Sequence, residues 1–96
     1  MLYALLCDDK PDSLQLRLDT RAEHLAFLNG LGDMLKFAGP FLDEENKPCG
    51  SLVVIEAESR EAAMAIADRD PYAMAGLFEN VVVRPWNWAV KNPAAG

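Results

Sequence analysis

The chain has one histidine, His24, and it closes the run Arg17-x3-Arg21-x2-His24. Histidine is the side chain whose ordinary titration lies nearest neutral pH, which makes it the natural general acid or base. On a helix, steps of four and then three residues stack Arg17, Arg21 and His24 along one edge. Beside that edge runs a stripe of Leu14, Leu18, Leu25 and Leu28. At about 100° per residue these four lie within about 40° of a common centre, and Arg21 falls inside their arc. The pattern predicts a cationic ridge against a core, with Arg21 at its inner side. A buried guanidinium needs a negative partner: a bound ligand, a carbonyl cluster, or one of the carboxylates Asp8, Asp9, Asp70 and Glu79 at the element ends. The competing reading has Arg21 reaching past the leucines to a surface acid, with His24 a boundary residue.

Asp70 is the expected partner of His24, because a carboxylate beside an imidazole orients the ring. It also precedes Pro71, where a carboxylate can cap a short helical turn, and its two oxygens allow both roles at once. Tyr72 either offers a hydroxyl to the same pocket or buries its ring against the sheet. Ser51 follows Gly50 without a GxSxG setting, which favours a strand opening over a nucleophile; it remains a candidate for ligand binding, as do Arg17, Arg21 and Tyr72. Cys7 and Cys49 lack CxxC spacing and there is no second histidine, so no metal site is expected. Both cysteines read as reduced structural thiols.

Positioning such a set requires a scaffold, and the apolar pattern supplies one. Leu2 to Cys7 reads as a strand ended by Asp8, Asp9 and Pro11, and Ser13 to Leu31 as an amphipathic helix. Met34 to Ala38 reads as a strand closed by Gly39-Pro40, and Leu52 to Ile55 as a β-branched strand after a polar loop. Ser59 is placed to cap a helix running to about Arg69, and Pro71 to Ala75 forms a turn ended by Gly76. The last strand lies within Phe78 to Trp88, with Trp86 and Trp88 on one parity as a packing edge or dimer rim. The order is β-α-β-β-α-β, an α+β ferredoxin-like fold with a four-stranded antiparallel sheet. The domain is expected over residues 1–88, with 89–96 as a tail. Three of the strands are apolar at both parities, so both sheet faces seek burial while two helices cover only one. A homodimer through the open face is the expected solution.

With 15 acidic residues against 9 basic ones, the chain would repel a polyphosphate, which excludes nucleic acid as an expected partner. The N-terminus has no basic region before its short apolar run, and no segment reaches membrane-spanning length. The expectation is a cytoplasmic protein with a small-molecule ligand.

Taken in order, Arg17-x3-Arg21-x2-His24-Leu25-x2-Leu28, Ala38-Gly39-Pro40, Gly50-Ser51-Leu52, Asp70-Pro71-Tyr72 and Arg84-Pro85-Trp86 resemble the YciI-like (YCII-related) family. The resemblance spans roughly Met1 to Trp88. It implies a dimeric α+β barrel of two ferredoxin-like units, with an active site whose histidine and aspartate correspond to His24 and Asp70. Relatives of that family with known activities include dehydrochlorinases, muconolactone-type isomerases and cofactor-free oxygenases. Three functions therefore stand open. The first is a cofactor-independent enzyme eliminating or isomerising on a small anionic or hydroxylated ring; the others are a non-catalytic small-anion binder or accessory module, and a structural dimer with an internal ion network.

Overall fold

The structure, a computed structural model, describes residues 1–93, so the end of the expected tail, 94–96, lies outside the described residues. Its elements follow in the order β1 (Leu2–Asp9), α1 (Leu14–Gly30), a 3-10 turn (Gly32–Met34), β2 (Leu35–Leu42), β3 (Pro48–Glu56), α2 (Arg60–Asp68), α3 (Pro71–Met74) and β4 (Phe78–Trp86). The four strands form one antiparallel sheet in the order β2-β3-β1-β4. This is the ferredoxin-like arrangement.

Local chemistry sets most boundaries. The Ser59 hydroxyl accepts the Ala62 N–H at 3.0 Å and starts α2. Asp70 accepts the Tyr72 N–H at 2.9 Å and starts α3 at Pro71, whose missing N–H costs nothing in a first turn. Gly76, at φ +76°, lets the chain turn back into β4, a conformation other residues resist.

Strand limits differ from expectation in β1, β2 and β3, the last starting at Pro48 rather than Leu52 and so placing Ser51 inside the strand instead of at its opening. β1 continues past Cys7 to Asp9, with a register shift between Asp8 and Asp9 where it meets β4; such a bulge re-aims the side chains beyond it. β2 runs through Gly39-Pro40 to Leu42, because an edge strand tolerates a proline. β4 ends at Trp86, leaving Trp88 beyond it.

The core lies between the sheet and the helices, where Tyr3, Leu5, Cys7, Val53, Ile55 and Val83 meet Leu28, Ala63, Ile66 and Ala67. The opposite sheet face is partly closed by the chain itself. Phe37 on β2 makes edge contacts with Trp86 and Trp88, at ring-centroid distances of 5.6 and 5.0 Å. Since β2 and β4 are the outer strands, these rings must reach across β3 and β1, roughly 14 Å at the usual strand spacing. Beneath that arch Ala4 and Val54 are buried, Val54 to 1% exposure. Leu6 and Leu52 remain half-buried and Val82 exposed on this face.

The largest departure concerns α1. Its buried residues are Arg17, Thr20, His24 and Leu28, whereas Leu18 is 50% exposed and Leu25 is also exposed. The inward arc is thus turned by roughly 80° from the leucine stripe. Arg21, expected inside, is exposed, and Arg17 takes the buried place. The reason is that the sheet and the cap of α3 supply polar partners for Arg17 and His24, so their burial leaves neither side chain unsatisfied.

Candidate active site between α1 and β2

Arg17 is 4% exposed. Its Nε donates to Asp9 Oδ2 at 2.6 Å and its Nη2 to Asp9 Oδ1 at 2.9 Å, a bidentate pair. Nη2 donates also to Ser51 Oγ at 2.9 Å. Burial works to lower the guanidinium's affinity for its proton, but the hydrogen bond and charge of Asp9 outweigh it and hold Arg17 above its ordinary range. Asp9 is delivered by the extended end of β1, and Ser51 by β3, where it pairs with Cys7. Gly50 makes this approach feasible, since a Cβ there would stand 2.5 Å from the Cys7 carbonyl oxygen. Asp9, one of the four acids considered for Arg21, is the partner of Arg17 instead.

About two turns further along α1, His24 meets Asp70. Nδ1 lies 2.8 Å from Asp70 Oδ1 and 3.0 Å from Oδ2. A carboxylate flanked this way accepts, so Nδ1 is the donor, and in the neutral imidazole Nε2 is the nitrogen that keeps its lone pair. Among the described residues no buried side-chain nitrogen or oxygen lacks a partner, and no protein partner engages Nε2, which places that nitrogen at the open side of the ring. Asp70 does both things expected of it, capping α3 through the Tyr72 N–H while holding His24.

Tyr72 is 1% exposed. Its ring stacks on the imidazole at 3.9 Å between centroids and 16° between planes. The Arg17 guanidinium carbon lies 4.6 Å from the centre of the same ring, and Phe78 meets its edge. Burial is the main influence on the hydroxyl and raises its pKa, with the cations of Arg17 and Arg21 pulling the other way. The two readings of Tyr72 converge, since a buried ring also forms part of the pocket wall.

The pocket is a cavity of about 260 Å³ between α1, the Ala38-Gly39-Pro40 segment of β2 and Pro48. Arg17, Arg21, His24 and Tyr72 line it together with Leu18, Leu25 and Leu28. Leu18 and Leu25, assigned to the core by periodicity, are therefore part of the apolar wall of a site, while Leu28 serves both wall and core; helical spacing alone does not distinguish the two roles. Ser51 supports this wall from behind through Arg17. Arg21 has no ion-pair or hydrogen-bond partner among the described residues and lies where its charge reaches the Tyr72 hydroxyl. Apolar walls with a few converging polar groups are the usual make-up of a small-molecule site. No cluster of three or more histidine, cysteine or acidic side chains among the described residues could hold a metal ion.

Cys7 is buried, and burial first, then the negative charge of Asp70, pushes its thiol up to about 12. It is a thiol of the core. Cys49 is exposed, so of the two cysteines expected as structural thiols only Cys7 is packed in the core.

A profile of the YCII-related domain matches residues 1–87. The chain is 47% identical over 94 residues to protein YciI of Escherichia coli O6:H1, covering 90% of this chain and 96% of that one. The chain belongs to the YCII-related family. An uncharacterised protein of Haemophilus influenzae is 37% identical over the same span, with the same coverage. Among solved structures, the 5-chloro-2-hydroxyhydroquinone dehydrochlorinase of Burkholderia phenoliruptrix, in complex with 2,5-dihydroxybenzoquinone, superposes with a TM-score of 0.82 at 35% identity, over 91% of this chain and 94% of the other. An antibiotic biosynthesis monooxygenase, at 16% identity and a TM-score of 0.55 over 91% and 99% of the two chains, shares the fold. No helix among the described residues is long and apolar enough to cross a membrane.

Proposed function

We propose that this YCII-related protein is a cofactor-independent enzyme in which His24 and Asp70 move a proton during elimination or isomerisation on a small anionic or hydroxylated ring. The observation that carries the reading is the imidazole itself. Asp70 fixes Nδ1 at 2.8 Å, and the basic Nε2 is left toward a cavity whose one unpaired cation is Arg21. In an elimination, Nε2 takes a proton from a ring hydroxyl while the halogen-bearing ring carbon gains one, giving a tetrahedral keto tautomer. Loss of a proton from a second ring hydroxyl then expels the halide with its bonding pair, so that the net change is loss of HX to give a quinone. Asp70 balances the positive charge that forms on the imidazole. Arg21 stabilises the oxygen on which negative charge develops. Arg17 is fully occupied at Nε and Nη2 and contributes to the wall, so anion binding falls to Arg21. Ser51 and Tyr72 act on the ligand through the surfaces they hold in place. The similarity to a dehydrochlorinase acting on a chlorinated hydroxyhydroquinone supports the same substrate class here.

The test is incubation of the purified protein with 5-chloro-2-hydroxyhydroquinone, with chloride release followed over time. Release by the wild type, slowed about 10²–10⁴-fold in His24→Gln, is the expected result for loss of a general base. Full turnover by His24→Gln refutes the assignment. A ligand that binds and emerges unchanged identifies the protein as a binding module instead.

The same reading includes a homodimer through the helix-free sheet face, supported by Leu6, Leu52 and Val82 beside the aromatic arch. Light scattering at micromolar concentration should give twice the 10.6 kDa chain mass; a monomeric mass refutes it. A cytoplasmic location is part of the proposal, and the two thiols outside any disulfide agree with it.

A further inference from the structure

The buried arginine and the tyrosine next to the dyad are not used by the proton transfer, although both are held with unusual completeness. Tyr72 grips both members of the dyad. Its backbone N–H binds Asp70 Oδ1 at 2.9 Å, and its ring lies flat on the His24 imidazole at 3.9 Å. The ring in turn is fixed by the Arg17 guanidinium 4.6 Å from its centroid and by the Phe78 ring meeting it edge-on at 6.0 Å. Arg17 cannot swing away, because Asp9 and Ser51 occupy three of its N–H groups.

We infer that Tyr72 is the positioning residue of the site, clamping the imidazole plane against the Asp70 carboxylate, with Arg17 bracing the clamp from the β1–β3 side. A single pair of bonds to Nδ1 leaves the imidazole free to swivel about the Nδ1–Asp70 line. A stacked ring removes that freedom, and Nε2 then points at one place in the cavity. The backbone bond to Asp70 fixes the other partner to the same residue, so the dyad moves as one body. Fixing a supporting shell to within fractions of an ångström is what separates a working site from a loose one. The inference rests on the His24–Asp70 reading only for its catalytic consequence; the clamp is a property of the resting protein.

Because His24 is the one histidine in the chain, NMR reads the clamp without ambiguity. In the wild type the carbon-bound imidazole protons should lie upfield of those of free histidine, shielded by the Tyr72 ring current. The Nδ1–H proton should appear far downfield and exchange slowly. Tyr72→Phe keeps the ring and should retain both signatures. Tyr72→Leu should lose the upfield shift and broaden the Nδ1–H signal, with Asp70 still present. An unshifted imidazole in the wild type overturns the inference, even where the leucine variant does not fold. A sharp Nδ1–H signal in a folded Tyr72→Leu protein overturns it as well. Should substrate turnover be found, Tyr72→Leu is expected to lower kcat at least tenfold with a smaller effect on KM, and Tyr72→Phe to rescue it. If no turnover is found while both signatures behave as expected, the enzyme reading fails and the clamp stands.

Discussion

Replacing Arg17 by methionine removes three hydrogen bonds at 2.6, 2.9 and 2.9 Å and leaves the Asp9 carboxylate, 6% exposed, without its partner. Breaking one side of a buried pair costs about 3–5 kcal/mol, because the stranded charge keeps its desolvation penalty and loses the attraction that offset it. A domain of this length has about 5–14 kcal/mol in total, so a large fraction of the stability should go. The thermal midpoint should fall by more than about 12 °C at the usual few degrees per kcal/mol. Urea unfolding followed by the fluorescence of Trp86 and Trp88 measures the loss directly. Two companion variants identify the cause. Arg17→Met with Asp9→Leu removes the pair together and should recover at least half of the loss, since apolar replacement of a buried pair is often close to neutral. Arg21→Met, on the same edge but exposed, should stay within about 0.5 kcal/mol of the wild type. A loss under about 1 kcal/mol for Arg17→Met would mean a solvent-screened pair and refute the assignment of Arg17 as the buried arginine. So would a double variant as unstable as the sum of the two single ones.

Other outcomes follow from the same geometry. Gly50→Ala drives a methyl against the Cys7 carbonyl and should cost about 1–3 kcal/mol, as overpacking usually does, read from the same urea curves. A thiol reagent at pH 8 should modify Cys49 at once and Cys7 only on unfolding, giving one equivalent in native protein and two in denaturant. The Cys7 thiol rises from 9.0 in the unfolded chain to about 12 in the fold. Its contribution is therefore complete below about pH 9 and is lost as the pH climbs toward 12, because only the unfolded chain releases that proton in this window. Cys7→Ala should flatten that alkaline decline. Asp70→Asn keeps the α3 cap through its amide oxygen but withdraws the carboxylate from His24; it should leave the fold intact and reduce any turnover in parallel with His24→Gln.

Much of the scaffold is legible in the residue pattern because its signals are local. Val53-Val54-Ile55 and Val81-Val82-Val83 are β-branched runs, Ser59 and Asp70 are capping residues, and Gly76 stands where φ turns positive. Asp70 and His24 can be paired from sequence for a related reason: the Pro71 turn restricts where that carboxylate sits. The identity of the buried arginine is not legible. A helical wheel weighs hydropathy alone, and the partners that draw Arg17 and His24 inward lie outside the helix, Asp9 8 residues before Arg17 on β1, Ser51 34 residues after it, and Asp70 46 residues after His24. The leucine stripe misleads for the same cause, since a pocket wall and a core face share one periodicity. The arch of Phe37, Trp86 and Trp88 over Ala4 and Val54 depends on strand order, which parity does not encode.

In the proposed site Nε2 of His24 meets a ring hydroxyl of the ligand and the unpaired Arg21 meets the oxygen that carries negative charge, both in the α1–β2 cavity. Titrating 2,5-dihydroxybenzoquinone into protein labelled at its one histidine tests this arrangement most directly. The account predicts a saturable shift of the Nε2 resonance, with Nδ1 little changed, and an affinity at least tenfold weaker in Arg21→Gln. An Nε2 resonance that stays unmoved at millimolar ligand, or an affinity that Arg21→Gln leaves intact, contradicts it.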